Sequence, residues 1–376
     1  MIHDRLSATG AREGIVVSPE HHASEAGLSV IADGGSAIEA AVATAAALGV
    51  TCPHLTGMGG DAVWLVQPPG EAPLAIIGCG AAGSGALAEA SDTVAGAVSS
   101  WQAALALPGA SRLGLHRVLR DAIDLAADGV AVGQGLRRAI EAKREELSVV
   151  AGWTETLDMP NGVIRNPRLA RTMEMLRTKG LHSFYTNGIA DEIAADLAEV
   201  GALVSADDLR FHRARVEKPV TVRLEACSVV SAPCTFAEAP CDGAWIGAAD
   251  ADGCVVSMVQ SLRSTFGSGI VLPRTGIVWH TLAEHLQAAP GPSLARFEDG
   301  RVMAFGAMGG DDQAMTQDAI FHRYAMDGLK LGEAVAGGLS GAGYAGAGHA
   351  GAIVRHPDGA MDAAAEPRSD ASVAWA

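Results

Sequence analysis

The segment that most constrains the fold is AIEAAVATAAALGV, residues 37–50, which is apolar on almost every side of a helix. Ser36 precedes it and Glu39 follows three residues later, a spacing typical of a capping box at the start of a helix. Gly34 and Gly35 separate this segment from a second helical pattern just before it. A helix without a polar face is buried, so the sequence predicts a layered domain with this helix between layers.

The order of the remaining patterns predicts the fold class. Helical patterns dominate residues 84–215, strand-like runs begin at Val216, and one more helix follows residue 312. The pairs at residues 252–253 and 358–359 are both Asp-Gly and lie between strand-like runs, as expected for hairpin turns. The glycine-rich stretch at residues 337–351 predicts a flexible connection or a surface loop. Helices followed by hairpins indicate an α+β domain.

Composition limits the classes of partner. The chain has 376 residues, of which 49% are hydrophobic, so it can bury a large core. Its formal net charge of -16 disfavours binding to nucleic acid or to an anionic membrane surface. We therefore expect a small-molecule substrate or a protein partner, and the apolar helices are compatible with a homodimer.

The cysteines and the N-terminal residues bear on the compartment. The six cysteines form no CxxC pair, so we expect reduced thiols and neither a disulfide framework nor a metal site. The N-terminal residues carry charges where a signal peptide has an apolar stretch, and no apolar run reaches the ~20 residues of a membrane span. These features predict a soluble, cytoplasmic protein that needs no cofactor.

Two segments contain candidates for amide chemistry, which requires a nucleophile, a base and donors for the oxyanion. Gly309 and Gly310 lie between a predicted strand and a predicted helix, where they form either an oxyanion-binding pair or a plain turn. Ser257, Ser261 and Arg263 alternate along one strand and would share a face. Arg263 then either binds a substrate carboxylate or lies exposed at the edge of a sheet.

The histidines and the reactive-looking thiol give weaker signals. No histidine has the spacing of a known metal motif such as HExxH, so we predict that most histidines are surface or capping residues. Cys241 is followed by Asp242, whose charge disfavours the thiolate.

Four blocks of the sequence point to a known family: residues 23–66, 248–279, 300–328 and 351–371. Together, and in this order, they resemble the γ-glutamyltransferases and their relatives among the N-terminal-nucleophile hydrolases. The segment GGDDQAMTQ is most similar to the oxamate-amidohydrolase-like, non-transpeptidase branch. The resemblance implies a four-layer αββα sandwich formed by one domain, residues 1–376. It also implies a large-subunit-like half, residues 1–242, and a small-subunit-like half, residues 243–376.

The resemblance also implies a set of catalytic residues. In this family a precursor cuts its own backbone before a threonine, whose hydroxyl becomes the nucleophile and whose freed amino group becomes the base. That threonine aligns with Gly243 here, so the residue that the chemistry requires is missing. Ser261 aligns with the hydroxyl that supports the nucleophile, and Gly309 and Gly310 align with the oxyanion pair.

The substrate-binding residues are altered relative to the family. The arginine that binds the glutamyl carboxylate falls near Cys79, and the asparagine that binds the amino group falls at Arg263. We therefore expect a small acidic substrate whose carboxylate pairs with Arg263, with Asp61 and His280 as further binding residues.

Three interpretations of Gly243 remain open. The chain is a precursor-like, inactive form of an amide or acyl hydrolase, in which glycine blocks autoprocessing. Alternatively, the glycine is natural, and the protein is an uncleaved binding or partner subunit. A third possibility also has a natural glycine. The protein is then a biosynthetic enzyme that uses Cys241, Asp242 or Asp61 for catalysis, and C–C bond cleavage is one reaction that it could perform.

Overall fold

The computed structural model describes residues 6–81, 83–84, 93–150, 153, 159–234, 243–281, 291–308, 313–338 and 348–376. The helices are α1 (His21–Ala32), α2 (Ala37–Thr51), α3 (Ala97–Leu105), α4 (Leu115–Val118), α5 (Arg120–Asp128), α6 (Gln134–Ser148), α7 (Pro167–Lys179), α8 (Asn187–Glu199), α9 (Ala206–Phe211), α10 (Gln313–Ala325) and α11 (Leu331–Gly338). The strands are β1 (Ser7–Ala11), β2 (Gly14–Ser18), β3 (Asp61–Gln67), β4 (Leu74–Gly78), β5 (Val130–Ala131), β6 (Val163–Ile164), β7 (Arg215–Glu217), β8 (Val220–Arg223), β9 (Cys227–Ser231), β10 (Ala244–Asp250), β11 (Val255–Ser261), β12 (Ser293–Phe297), β13 (Val302–Met308), β14 (His349–Arg355), β15 (Met361–Ala365) and β16 (Ser372–Trp375).

Two seven-stranded sheets form the centre of the molecule, and every strand pair in them is antiparallel. The first sheet, called sheet I, has the order β16-β2-β10-β11-β3-β4-β7. The second, called sheet II, has the order β1-β15-β14-β13-β12-β9-β8. Both sheets contain strands from either side of residue 243.

Three apolar clusters separate the layers. One lies between the two sheets and includes Leu65, Trp245 and Ile353. The other two lie on the outer faces, where sheet I packs against α1, α2 and neighbouring helices and sheet II packs against α10 and α11. The described residues therefore confirm the αββα sandwich.

Helix α2 confirms the prediction from the capping box. The Glu39 N–H donates to Ser36 Oγ at 3.1 Å, and the Ser36 N–H donates to Glu39 Oε2 at 3.1 Å. Glu39 Oε1 accepts three more backbone N–H groups, from residues 112–114, so the buried carboxylate is fully satisfied. Every residue of α2 except Gly49 is buried, as expected for a helix between layers.

The glycine-rich stretch at residues 337–351 differs in part from its prediction. Its last three residues belong to the buried strand β14, which pairs with β13, and residues 339–347 lie outside the described part of the chain. A Cβ atom on Gly351 would lie 2.7 Å from the Trp245 ring, and one on Gly306 would also overlap this ring. Glycine allows close packing at both positions. For Gly351, the low complexity of the sequence could not distinguish a packed strand from a loop.

Two further observations concern the chain as a whole. The described helices include none with the length and apolar character needed to cross a bilayer. Cys52, Cys227 and Cys254 are free thiols, and Cys241 lies outside the described residues.

Candidate active site

One edge of sheet I brings together the residues predicted for the site. Strand β10 begins there, β11 ends there and β3 begins there, with Ala244 paired to Gln260 and Ser261 paired to Asp61. Gly243 directly precedes β10 and therefore lies beside Ser261. The antiparallel register thus places three predicted site residues from distant parts of the sequence in one row.

Gly243 occupies a position with no space for a side chain. A Cβ atom there would lie 2.8 Å from the Gln260 carbonyl oxygen, 2.8 Å from Ser261 Cβ and 3.0 Å from Ser261 Cα. Real Cβ atoms do not approach backbone atoms this closely, so any other residue requires a shift of β10 or β11. The constraint is one of packing against β11.

Arg263 lies beyond β11, which corrects the prediction that it shares a strand face with Ser257 and Ser261. The strand ends at Ser261, and Arg263 has φ +70°, which breaks the two-residue alternation of side chains. The Arg263 N–H donates to Ser261 Oγ at 2.7 Å. Ser257 instead faces the other sheet and accepts a hydrogen bond from Trp245 Nε1 at 2.9 Å.

Arg263 and Asp61 form a buried ion pair. Arg263 Nε and Nη2 donate to Asp61 Oδ2 at 2.9 and 2.7 Å, and the two residues are 4% and 3% exposed. The alternative of a solvent-exposed arginine at a sheet edge is therefore wrong. Asp61 Oδ1 accepts the N–H groups of Gly80 and Gly96 at 3.3 and 3.1 Å, so both carboxylate oxygens have partners.

His280 completes this group, which we call the charged cluster (Asp61, Arg263 and His280). Its Nδ1 lies 3.6 Å from Asp61 Oδ2, and its Nε2 lies 3.0 Å from the Thr93 carbonyl oxygen. A carbonyl only accepts, so Nε2 carries a proton. Burial alone would raise the pKa of Asp61, but the nearby His280 ring and the Arg263 guanidinium with its two hydrogen bonds hold this pKa well below its usual range. The carboxylate is ionised at neutral pH.

Two more buried histidines, His54 and His349, line one cavity near the start of β10, and we call them the neutral pair. His349 Nε2 accepts the Trp245 N–H at 2.8 Å, and burial lowers the pKa of His349 to about 4. Burial likewise lowers the pKa of His54 to about 3, and its Nδ1 has no hydrogen-bond partner among the described atoms. Both rings are uncharged at neutral pH.

A small cavity of about 40 Å³ adjoins the neutral pair; its lining includes Cys52, His54, Gly135, Gly348, His349 and Asp370. Burial raises the pKa of the Cys52 thiol well above its usual value, so this cysteine is not a thiolate nucleophile. His54, His280 and His349 are buried and are exceptions to the prediction that most histidines are surface or capping residues. The sequence did contain a signal for the burial of His349, because this residue begins an apolar run near a predicted hairpin.

Four predicted site residues lie outside the described part of the chain. They are Cys241, Asp242, Gly309 and Gly310. Strand β13 ends at Met308 and helix α10 begins at Gln313, so the flanks of the glycine pair are a strand and a helix as predicted. Their catalytic roles remain predictions.

One group of three side chains could hold a metal ion among the residues that the structure describes. It consists of Glu20, His21 and His22, at the start of α1. Its three candidate ligands are consecutive in the sequence and follow no spaced motif, so the spacing of the histidines did not predict it.

Comparisons with known proteins agree with this architecture. The family model described as gamma-glutamyltranspeptidase matches residues 23–239 and 237–339. The oxamate amidohydrolase proenzyme of Klebsiella pneumoniae is 33% identical over 449 aligned positions, which cover 88% of this chain and 85% of that protein. The glutathione hydrolase-like YwrD proenzyme of Bacillus subtilis is 32% identical over 60% of this chain, and the match spans 47% of that relative.

Solved structures show the same fold. The cephalosporin acylase of Bacillus halodurans matches with a TM-score of 0.81 and 22% identity, over 100% of this chain and 98% of that one. The gamma-glutamyltranspeptidase of Helicobacter pylori matches with a TM-score of 0.52 and 24% identity, over 56% of this chain and 67% of that one.

Proposed function

The chain belongs to the gamma-glutamyltranspeptidase family of hydrolases, and from this premise we propose that it is a precursor-like amidohydrolase for a small acidic substrate. The observation that carries the proposal is the row formed by Gly243, Ser261 and Asp61 at one edge of sheet I. By the resemblance, residue 243 corresponds to the family nucleophile and Ser261 to the hydroxyl that supports it. The nucleophile's own side chain is absent, because residue 243 is glycine.

We infer the following self-cleavage once a hydroxyl is present at residue 243. The hydroxyl oxygen adds to the carbonyl carbon of residue 242, and the C–N bond breaks as its nitrogen takes up the hydroxyl proton. Water then hydrolyses the resulting ester, which leaves a carboxylate at residue 242 and a free amino group at residue 243. The two halves of the chain, residues 1–242 and 243–376, would thus become two subunits.

The substrate reaction would use the same atoms. The hydroxyl at residue 243 attacks the amide carbon, the free amino group takes its proton, and Gly309 and Gly310 donate N–H groups to the oxyanion. Ser261 would orient the nucleophile, since the Arg263 N–H fixes its Oγ beside residue 243. The leaving amine takes a proton from the same amino group, and water releases the acid.

A small acidic substrate remains our choice, with Arg263 and His280 as its binding residues. Asp61 occupies two donors of the Arg263 guanidinium, so a substrate carboxylate has to share this arginine with Asp61. Binding through a shared guanidinium is weaker than binding to an arginine without a carboxylate partner. We therefore favour a compact acid, and oxamate, which is in the name of the Klebsiella relative, is the first candidate. Glutathione, which is in the name of the Bacillus relative, is the alternative to be tested.

The crowding around Gly243 favours a second candidate, a naturally uncleaved homologue that binds a ligand or a partner without this nucleophile. A Cβ atom at residue 243 is crowded by backbone atoms of β11, as a chain adapted to glycine would show. The same crowding is also compatible with the first proposal. A threonine at residue 243 would be crowded in the uncut chain and would destabilise it, and cleavage would let this residue move away from β11.

Gly243→Thr and Gly243→Ala separate the two candidates. Both variants carry the same crowded Cβ atom, but only threonine has a hydroxyl. The first candidate predicts that Gly243→Thr yields fragments of roughly two-thirds and one-third of the chain on a denaturing gel, while Gly243→Ala stays intact. An intact Gly243→Thr chain with the same melting temperature as Gly243→Ala would support the uncleaved homologue.

A further inference from the structure

The start of helix α1 holds a cluster that the amide chemistry does not use. Glu20 is the N-cap residue of α1, and its carboxylate is 6% exposed. His21 Nδ1 and His22 Nδ1 lie 2.7 and 2.9 Å from the same oxygen, Glu20 Oε1. The two imidazole rings lie 3.7 Å apart between centroids. Two nitrogen ligands and one oxygen ligand thus converge within 4.8 Å of one another.

We propose that Glu20, His21 and His22 bind a first-row divalent transition metal such as Zn²⁺. Imidazole nitrogens suit Zn²⁺, Ni²⁺ and Cu²⁺, whereas Ca²⁺ and Mg²⁺ require oxygen ligands. Two histidines and one glutamate form a ligand set of open zinc sites, in which a water molecule completes the coordination.

The observed distances are close to those of a metal site. Zinc ligands at about 2.0–2.1 Å from the metal in tetrahedral geometry lie about 3.3 Å from one another. The Glu20–His21 and Glu20–His22 contacts are 2.7 and 2.9 Å, so each ring has to move away from the carboxylate by about half an ångström on metal binding. The His21 and His22 side chains are 34% and 32% exposed, which gives the rings room to move and the metal a path of entry.

The Glu20 carboxylate can bind a metal and still cap helix α1, because its two oxygens have different partners. Glu20 Oε2 accepts the Ala23 N–H at 3.1 Å and caps α1, whereas Oε1 faces the imidazoles. Each imidazole can bind the metal through Nδ1 while it carries its proton on Nε2.

The cluster lies at the same edge of sheet I as Gly243. Strand β2 ends at Ser18, two residues before Glu20, and β2 pairs with β10, which begins just after Gly243. The metal would bind beside the proposed active site and would use none of its residues. The inference therefore does not depend on the proposed hydrolysis.

Calorimetric titration of the full chain with ZnCl₂ tests the site. The protein carries no histidine tag, is treated with a chelator and is then dialysed. We expect one Zn²⁺ per chain, at least a tenfold loss of affinity in His21→Ala or His22→Ala, and no binding in the double variant. The control His322→Ala removes an exposed histidine outside the cluster and should bind like the wild type.

Two further measurements keep the result interpretable. Glu20→Gln retains an oxygen that can accept from the Ala23 N–H, so it tests the metal ligand while the helix cap is preserved. Co²⁺ in place of Zn²⁺ should give a visible absorption band that the double variant lacks. Failure of the wild type to bind Zn²⁺, or equal binding by wild type and double variant, would show that the cluster is only a hydrogen-bonded cap.

Discussion

The charged cluster and the neutral pair bury ionisable groups in opposite ways. The charged cluster keeps Asp61 and Arg263 ionised, because each supplies the other's countercharge and the remaining carboxylate oxygen accepts backbone N–H groups. No carboxylate in the described part of the chain forms an ion pair with the neutral pair, and burial keeps His54 and His349 unprotonated. The difference teaches that burial by itself favours the uncharged form, and that only a fixed partner reverses this. The charged cluster is thus sensitive to loss of a partner, and the neutral pair is sensitive to acid.

The largest effect should come from removing the anion of the charged cluster. Asp61→Asn leaves the Arg263 guanidinium buried without its countercharge, and we expect the free energy of unfolding to fall by about 3–5 kcal/mol. Urea denaturation measures the change. Asp358→Asn is the matched control, because Asp358 pairs with Arg12 in solvent and should give no measurable loss. Equal stability of Asp61→Asn and Asp358→Asn would contradict the role of Asp61 as the countercharge of Arg263.

A smaller effect should appear when the neutral pair is acidified. His349 has a folded pKa of about 4 and an ordinary unfolded value of about 6.5, so only the unfolded state takes up the proton between these values. The stability contribution is complete above pH 6.5 and falls as the pH drops towards 4. At pH 5 the loss from this residue should be roughly 2 kcal/mol. Asp61 does not contribute in this window, because its lowered pKa confines its effect to pH values below about 4.

Comparison of His349→Gln with the wild type isolates this loss. Glutamine can still accept the Trp245 N–H, but it does not titrate. We expect the fall in unfolding free energy between pH 7.5 and 5.0 to be smaller by about 2 kcal/mol in the variant. His322→Gln, at an exposed position, should keep the acid sensitivity of the wild type. A variant as acid-sensitive as the wild type would show that His349 is already charged in the folded state.

The smallest effect concerns the link between the charged cluster and residue 243. Ser261→Ala removes the acceptor of the buried Arg263 N–H, and we expect a loss of about 1 kcal/mol in unfolding free energy. Ser148→Ala, at an exposed serine of α6, should remain within about 0.5 kcal/mol of the wild type. If Ser261→Ala were as stable as this control, Ser261 would not hold Arg263 in place.

Local signals made much of the fold predictable from sequence. The capping box of α2 and its lack of a polar face predicted a buried helix, and both Asp-Gly pairs lie at hairpin turns between strands. These features depend on neighbouring residues, so spacing and residue type were sufficient. The αββα arrangement followed from the resemblance of ordered sequence blocks.

The site was less predictable because its contacts are distant in sequence. Asp61 and Arg263 are 202 positions apart, and the positive φ of Arg263 turns its side chain away from the strand alternation that the sequence predicted. The lack of space beside Gly243 depends on the register of β10 against β11. The Glu20–His21–His22 cluster depends on ring orientation at the start of a helix. Pairing register and side-chain direction arise from tertiary packing, which no local pattern encodes.

The proposal on which the account depends is that the edge of sheet I around Gly243 is an amidohydrolase site without its nucleophile. Ammonia release from oxamate, measured with the cleaved Gly243→Thr chain and with Gly243→Ala, tests it most directly. We predict sustained turnover by the cleaved threonine variant and none by the alanine variant. A threonine variant that is fully cleaved and folded, yet releases neither ammonia from oxamate nor glutamate from glutathione above the alanine background, would contradict the claim.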